Sequence, residues 1–95
     1  MYHLFRTKGF DKSYKRILRS GGLKPRVVAD LAEVVETLRK GQRLAADYKD
    51  HQLSGNMKSY RECHIRGDLL LVYQVKKEEL VLVLIEIGSH SYLGL

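Results

Sequence analysis

The sequence predicts an α+β fold in the order β-α-α-β-β-β, with an antiparallel sheet packed against two N-terminal helices and residues 1–95 forming one compact domain. Two kinds of periodicity point to it. Apolar side chains recur every three or four positions from Phe10 to Leu38, whereas residues 58–87 hold three runs rich in Val, Leu, Ile and Tyr. A chain of 95 residues, 44% hydrophobic and 29% charged, has enough aliphatic surface for one modest core and too little for two.

Residues 2–6 make a first short strand. After Gly9, the residues Phe10, Tyr14, Ile17 and Leu18 fall on one helical stripe, while Lys12, Lys15, Arg16 and Arg19 face away, and Gly21-Gly22 ends the helix. Pro25, suited to a first helical turn, opens a second helix in which Val28, Leu31, Val35 and Leu38 repeat until Gly41. Residues 41–57 lack sustained periodicity and contain Ser54, Gly55 and Asn56, so His51 is expected on a surface loop. The rest is strand: 58–65, 68–76 and 79–87, with a polar hairpin turn at Lys76 to Glu79. The last two strands are apolar on both faces for most of their length, as central strands should be. In the first of the three, alternation puts Tyr60, Glu62 and His64 on one face and Arg61, Cys63 and Ile65 on the other.

Charge is uneven along the chain. The formal net charge is +6, yet the segment up to Ala29 holds eight Lys or Arg against Asp11 alone. A basic N-terminal third suits a polyanionic partner such as nucleic acid, or an acidic protein. The longest apolar run, Leu80 to Ile85, is far short of the roughly 20 residues that span a bilayer, and the first residues lack signal-peptide character. With a single cysteine, Cys63, read as a strand residue, the chain is expected to be cytoplasmic with no membrane partner.

The chemistry concentrates in the C-terminal half, where three of the four histidines form an ordered series: His51, His64 with Asp68 close behind, and His90. Imidazoles beside a carboxylate suit general acid-base work near neutral pH. A zinc site built from His51, His64, His90 and Asp68 is chemically possible, but the four lack a compact ligand motif, so no metal and no cofactor are expected. His3 lies outside the series and reads as structural.

The segments Tyr48-Lys49-Asp50-His51-Gln52-Leu53 with Gly55, Tyr60-Arg61-Glu62-Cys63-His64, Asp68-Leu69-Leu70-Leu71-Val72-Tyr73 and Gly88-Ser89-His90 resemble the YafQ branch of the RelE/ParE toxin superfamily, in order and over essentially the whole chain. The resemblance implies a compact RelE-like fold and a type II toxin-antitoxin toxin. Such a toxin enters the ribosomal decoding site and cuts mRNA without a metal. It is held inactive by a cognate antitoxin, DinJ-like, in a hetero-oligomeric complex. Family functional positions fall on His51, His64, Asp68 and His90. The assignment is His51 as general base and His90 as general acid, with His64 and Asp68 positioning groups or stabilising charge; exchanging acid and base fits the sequence equally well. Lys49 and Arg61 are candidates for binding phosphate and Tyr92 for stacking on a base, while Lys12, Lys15, Arg16 and Arg19 would dock on ribosomal RNA. Two alternatives come from the same superfamily. One is a non-nucleolytic ParE-like toxin that binds gyrase. The other, motivated by Glu86 where relatives often carry arginine, is a weakened toxin kept as an antitoxin-binding or co-repressor module.

Overall fold

The computed structural model describes residues 1–95 as a five-stranded sheet with helices on one face. The elements are β1 (His3–Arg6), α1 (Lys8–Arg19), α2 (Pro25–Arg39), β2 (His51–Gln52), β3 (Arg61–Arg66), β4 (Leu69–Lys76), β5 (Val81–Gly88) and a short α3 (His90–Leu93). The strand order is β1-β5-β4-β3-β2. The apolar runs lie inside it, as their two-sided hydrophobicity requires.

One expectation needs correction. The sheet is mixed, because β1 runs parallel to β5, whereas all the other pairings are antiparallel. A hairpin forces its two strands to be antiparallel. β1 is not in a hairpin: the chain passes from Arg6 through Thr7 directly into α1 and reaches β5 only near its end, so no tight turn dictates the direction.

α1 begins where Thr7 caps it, the Thr7 hydroxyl oxygen accepting from the Phe10 amide at 2.9 Å. It ends at Ser20, where Gly21 adopts a left-handed φ of 80° and the Gly22 amide reaches the Ile17 carbonyl. α2 has proline in its first turn and stops at Gly41 in the same way, with φ 72°. Its buried stripe is Leu31, Val34 and Leu38; Val28, expected in that stripe, is exposed, because the face that meets the sheet is rotated toward Val34.

α1 lies over β5 and α2 over β3. Together they cover one sheet face, and Phe10, Ile17, Leu31, Val34, Leu38, Cys63, Ile65, Leu71, Tyr73, Leu82, Leu84 and Ile87 close into one core. Deep in it Ser13 accepts the Ile87 amide at 3.3 Å and donates to the Phe10 carbonyl at 3.0 Å. It thus satisfies a backbone group just past the β-bulge in β5, where the register with β4 shifts. The opposite sheet face carries Glu62, His64, Leu70 and Val72, and the histidines gather there.

Candidate active site

His51 lies in the two-residue strand β2, which replaces the loop expected there. Its pairing opposite Glu62, with Gln52 opposite Arg61, puts His51 on the face that Glu62 and His64 share. The approach to His51 is held from several sides. The turn before it is tied to α2 by the Tyr48 hydroxyl, which donates to Glu33 at 2.7 Å; that bond, and burial after it, push the phenol up to about 12. Lys49 then takes a left-handed conformation, φ 49°, a strained choice for a side chain with a Cβ. This brings its carbonyl to 2.8 Å from His51 Nδ1. A carbonyl can only accept, so Nδ1 carries the proton and Nε2 of the neutral ring has a free lone pair.

The neighbour of His51 is anchored on the other side of the sheet. Asp50 takes the guanidinium of Arg61 at 2.9 and 3.4 Å and a short hydrogen bond from the buried Tyr73 hydroxyl. Burial, with the Asp50 carboxylate after it, drives the Tyr73 phenol well above its ordinary value, and Asp50 raises Arg61 further.

The strand ends bring the other half of the site together. Asp68 sits at the β3-β4 turn beside Gly67, and the pairing of Leu70 with both His64 and Gly88 places that turn next to the end of β5. α3 follows at once, capped by Ser89, whose hydroxyl oxygen accepts from the Tyr92 amide at 3.1 Å. One Asp68 oxygen receives both His90 Nδ1, at 2.5 Å, and the His90 backbone amide, at 3.3 Å. The ring contact, before the others, holds the Asp68 carboxyl below the usual carboxylate range. The His90 ring meets His64 edge-on, with centroids 5.5 Å apart.

At the centre stands Glu62, which the sequence series did not single out. Its side chain is only 4% exposed, with His64 Nε2 at 3.6 Å and His51 Nε2 at 3.7 Å from the same oxygen. The signal was present in the alternation: a carboxylate two residues before a histidine in a strand shares its face. Glu62, His64 and His90 each offer one ligand atom, all lying within 4.8 Å of one another. Asp68, expected beside His64, instead holds His90.

The remaining candidates divide. Lys49 and Arg61 do not join the histidines; they line a cavity of about 740 Å³ on the other side of β3, with Arg43, Lys58 and Lys77. Tyr92 does join them, its ring lying against Gly88. Arg16 is 3.8 Å over that ring, so at least one of the basic residues of α1 borders the site rather than standing apart from it. Glu86 is half-buried and pairs with Val72, whose other neighbour in register is Glu62. Cys63 is fully buried, and desolvation pushes its thiol up to about 12, which removes it as a nucleophile at neutral pH.

A model of the family described as "Bacterial toxin of type II toxin-antitoxin system, YafQ" matches residues 2–94. The chain belongs to this family. The curated "mRNA interferase toxin YafQ" of Escherichia coli K12 is 47% identical over 32 residues, covering 34% of this chain and 35% of that protein, so the match spans about a third of its length. Among solved structures, a metal-bound toxin from Helicobacter pylori is 47% identical with a TM-score of 0.84, covering 98% of this chain and 99% of that one. The toxin of the Escherichia coli DinJ-YafQ complex is 26% identical with a TM-score of 0.82, covering 98% of each chain. The family read from the sequence motifs is therefore borne out, and the fold with it. No helix is long and apolar enough to cross a membrane.

Proposed function

We propose that residues 1–95 act as one toxin domain, a ribosome-dependent endoribonuclease that cuts mRNA in the decoding site by metal-independent acid-base catalysis. The observation that carries this reading is that two histidines on one sheet face are each held through Nδ1, His51 by a carbonyl and His90 by a carboxylate, leaving both Nε2 atoms free. His51 donates from Nδ1 to the Lys49 carbonyl, which leaves Nε2 as a base. His90 donates from Nδ1 to the Asp68 carboxylate, which fixes the ring and leaves Nε2 as the atom that can pass a proton to the departing oxygen. Transfer of a phosphate to its neighbouring 2′-hydroxyl needs that pair: one group removes the 2′ proton while the other protonates the departing 5′-oxygen. His64, between Glu62 and His90, supplies positive charge for the extra phosphoryl charge when protonated. Tyr92, steadied by Arg16, offers a stacking surface for a base near the cut. Arg61 serves a different purpose, holding Asp50 and through it the backbone entering His51. Lys12, Lys15 and Arg19 remain for ribosomal RNA, and Lys49, turned away from the histidines, is left for an RNA phosphate outside the cut.

The family and the DinJ-YafQ complex of a relative support a cognate, DinJ-like antitoxin that binds this chain in a hetero-oligomer, and an mRNA-cleaving toxin works in the cytoplasm. The test is to map mRNA 5′ ends after incubating purified protein with programmed ribosomes in a chelator. His51→Ala and His90→Ala should each lower cleavage at least ~100-fold with the fold intact, the effect of removing a general acid or base. Full activity in both variants removes the mechanism. No cleavage by the folded parent would move gyrase binding or a purely antitoxin-binding role ahead of it.

A further inference from the structure

The cavity on the helix side of β3 and β4 is the part of the molecule that acid-base catalysis leaves unused. About 740 Å³ in volume, it gathers five cations, Arg43, Lys49, Lys58, Arg61 and Lys77, against the single carboxylate of Asp50. That carboxylate is already engaged by Arg61 and by the Tyr73 hydroxyl. Arg43, Lys49, Lys58 and Lys77 form no ion pair with any acidic residue. We propose that this cavity binds a nucleoside triphosphate, with its phosphates among the four free cations and its nucleoside against the apolar wall.

Charge and size select that class. Near neutral pH a triphosphate carries roughly −4, about −2 on its terminal phosphate and about −1 on each inner one, which matches four unpaired cations. Like charges facing one space raise a positive potential there, and a polyanion relieves it. Arg43 adds a planar fork for two phosphate oxygens, whereas the lysines act as mobile point charges. The volume lies within the range of about 300–1,000 Å³ typical of sites for small organic ligands, and exceeds what a lone phosphate fills. Leu38, Leu44 and Val75 supply the apolar wall, and the Tyr2 ring, which borders Gly41, gives a base a face to stack on.

The cavity meets the histidine face through the chain itself. Lys49 and Asp50 line it and directly precede His51, whose Nδ1 is held by the Lys49 carbonyl. A bound triphosphate takes Lys49 from RNA and competes with Asp50 for Arg61, so occupancy slows cleavage. That consequence rests on the nuclease reading; the binding does not.

The test is calorimetric titration of the full chain with adenosine and guanosine triphosphates, with pyrophosphate and a single-stranded hexanucleotide RNA as comparisons. One triphosphate per chain is expected, bound more weakly as salt rises. Pyrophosphate, with no nucleoside for the apolar wall, should bind more than about tenfold less tightly. Lys58→Ala and Lys77→Ala should each weaken triphosphate binding about three- to tenfold, and Arg43→Glu, which reverses a charge, by more than about tenfold. All three side chains are exposed, so the fold is kept, and circular dichroism checks it. Lys8→Ala, exposed on α1 and outside the cavity lining, should bind as the parent does. Absence of binding, parent-like affinity in all three cavity variants, or equal loss with Lys8→Ala overturns the site. Pyrophosphate binding as tightly as the triphosphates overturns the nucleoside assignment. A hexanucleotide that binds more tightly than they do, and loses affinity in the same three variants, gives the cavity to RNA instead. On programmed ribosomes the cleavage rate should fall as triphosphate is added, with a midpoint that follows the calorimetric Kd and moves with it in Lys58→Ala; a rate unchanged at saturation overturns the coupling. If triphosphate binds as expected but the chain never cuts, the nuclease reading fails and the site stands.

Discussion

Replacing Gly88 with alanine tests whether α3 must sit where it does for the site to work. A Cβ at this position would lie 2.6 Å from Tyr92 Cδ2, 3.3 Å from Cγ and 3.4 Å from Cβ. Carbon atoms in contact normally stand 3.5–4.0 Å apart, so relief requires a shift of about 1 Å. Turning the ring cannot supply it, because the root of the side chain is crowded as well; α3 itself must move, and His90 with it. The effect on stability should be small. Loss of the Arg16 contact with Tyr92 costs about 0.5–1 kcal/mol at an exposed site, and a glycine-to-alanine change where φ is not left-handed returns about 0.4–1 kcal/mol by restricting the unfolded chain. Cleavage responds differently, because a misplacement of about 1 Å in a catalytic group can cost on the order of 100-fold. Gly88→Ala should therefore melt within a few degrees of the parent and cut mRNA on programmed ribosomes roughly 100-fold more slowly. In a Tyr92→Ala background the contacts at 2.6 and 3.3 Å are gone and only the Cβ at 3.4 Å, an ordinary contact, remains, so adding Gly88→Ala should change the rate by no more than about twofold, the scatter of independent sites. A folded Gly88→Ala protein that cuts at the parent rate would refute the claim that the contact between Tyr92 and Gly88 positions His90.

Tyr73→Phe deletes a buried hydroxyl that donates to Asp50. Because Asp50 is partly exposed and keeps Arg61, the loss should stay near 1–2 kcal/mol, seen as a fall of roughly 5–15 °C in the melting temperature, and cleavage should drop as the approach to His51 loosens; an unchanged urea midpoint would count against the anchor. The Asp68 carboxyl is held below its ordinary value by the His90 ring, so the stability that this pair contributes is present above the unfolded carboxylate pKa of about 3.9 and is lost as pH falls through the lowered folded value. Asp68→Asn should lose less stability than the parent between about pH 5 and that folded value, and identical acid limbs in thermal melts would sink the assignment.

The parts of the fold that were legible are those in which a residue's own neighbours in sequence decide its fate. The two-sided apolar runs at β4 and β5 could only be interior strands, and Gly21 and Gly41 end the helices by local backbone geometry. What escaped is set by contacts between distant segments. β1 has no turn to fix its direction, so its parallel pairing with β5 follows from where the long connection returns. β2 is two residues long and exists only because β3 offers it an edge; no propensity signal marks it. The same division runs through the site. His51, His64, Asp68 and His90 could be read as a series because each is unusual for its surroundings. Which acid serves which imidazole could not, since the proximity of Asp68 to His90 is created by the pairing of Leu70 with Gly88 across 18 residues of chain. Arg61 shows the cost of ignoring alternation. It is odd-numbered on a strand whose even positions, Glu62 and His64, face the site, and the structure turns it away to Asp50. Followed one step further, that alternation leads to Glu62, an acidic side chain forced onto the histidine face and then buried. A strand that spends a buried position on a carboxylate between two imidazoles sets a negative group at the centre of the site, 3.6 and 3.7 Å from the ring nitrogens of His64 and His51, so the residue that the sequence series passed over is the one both rings share.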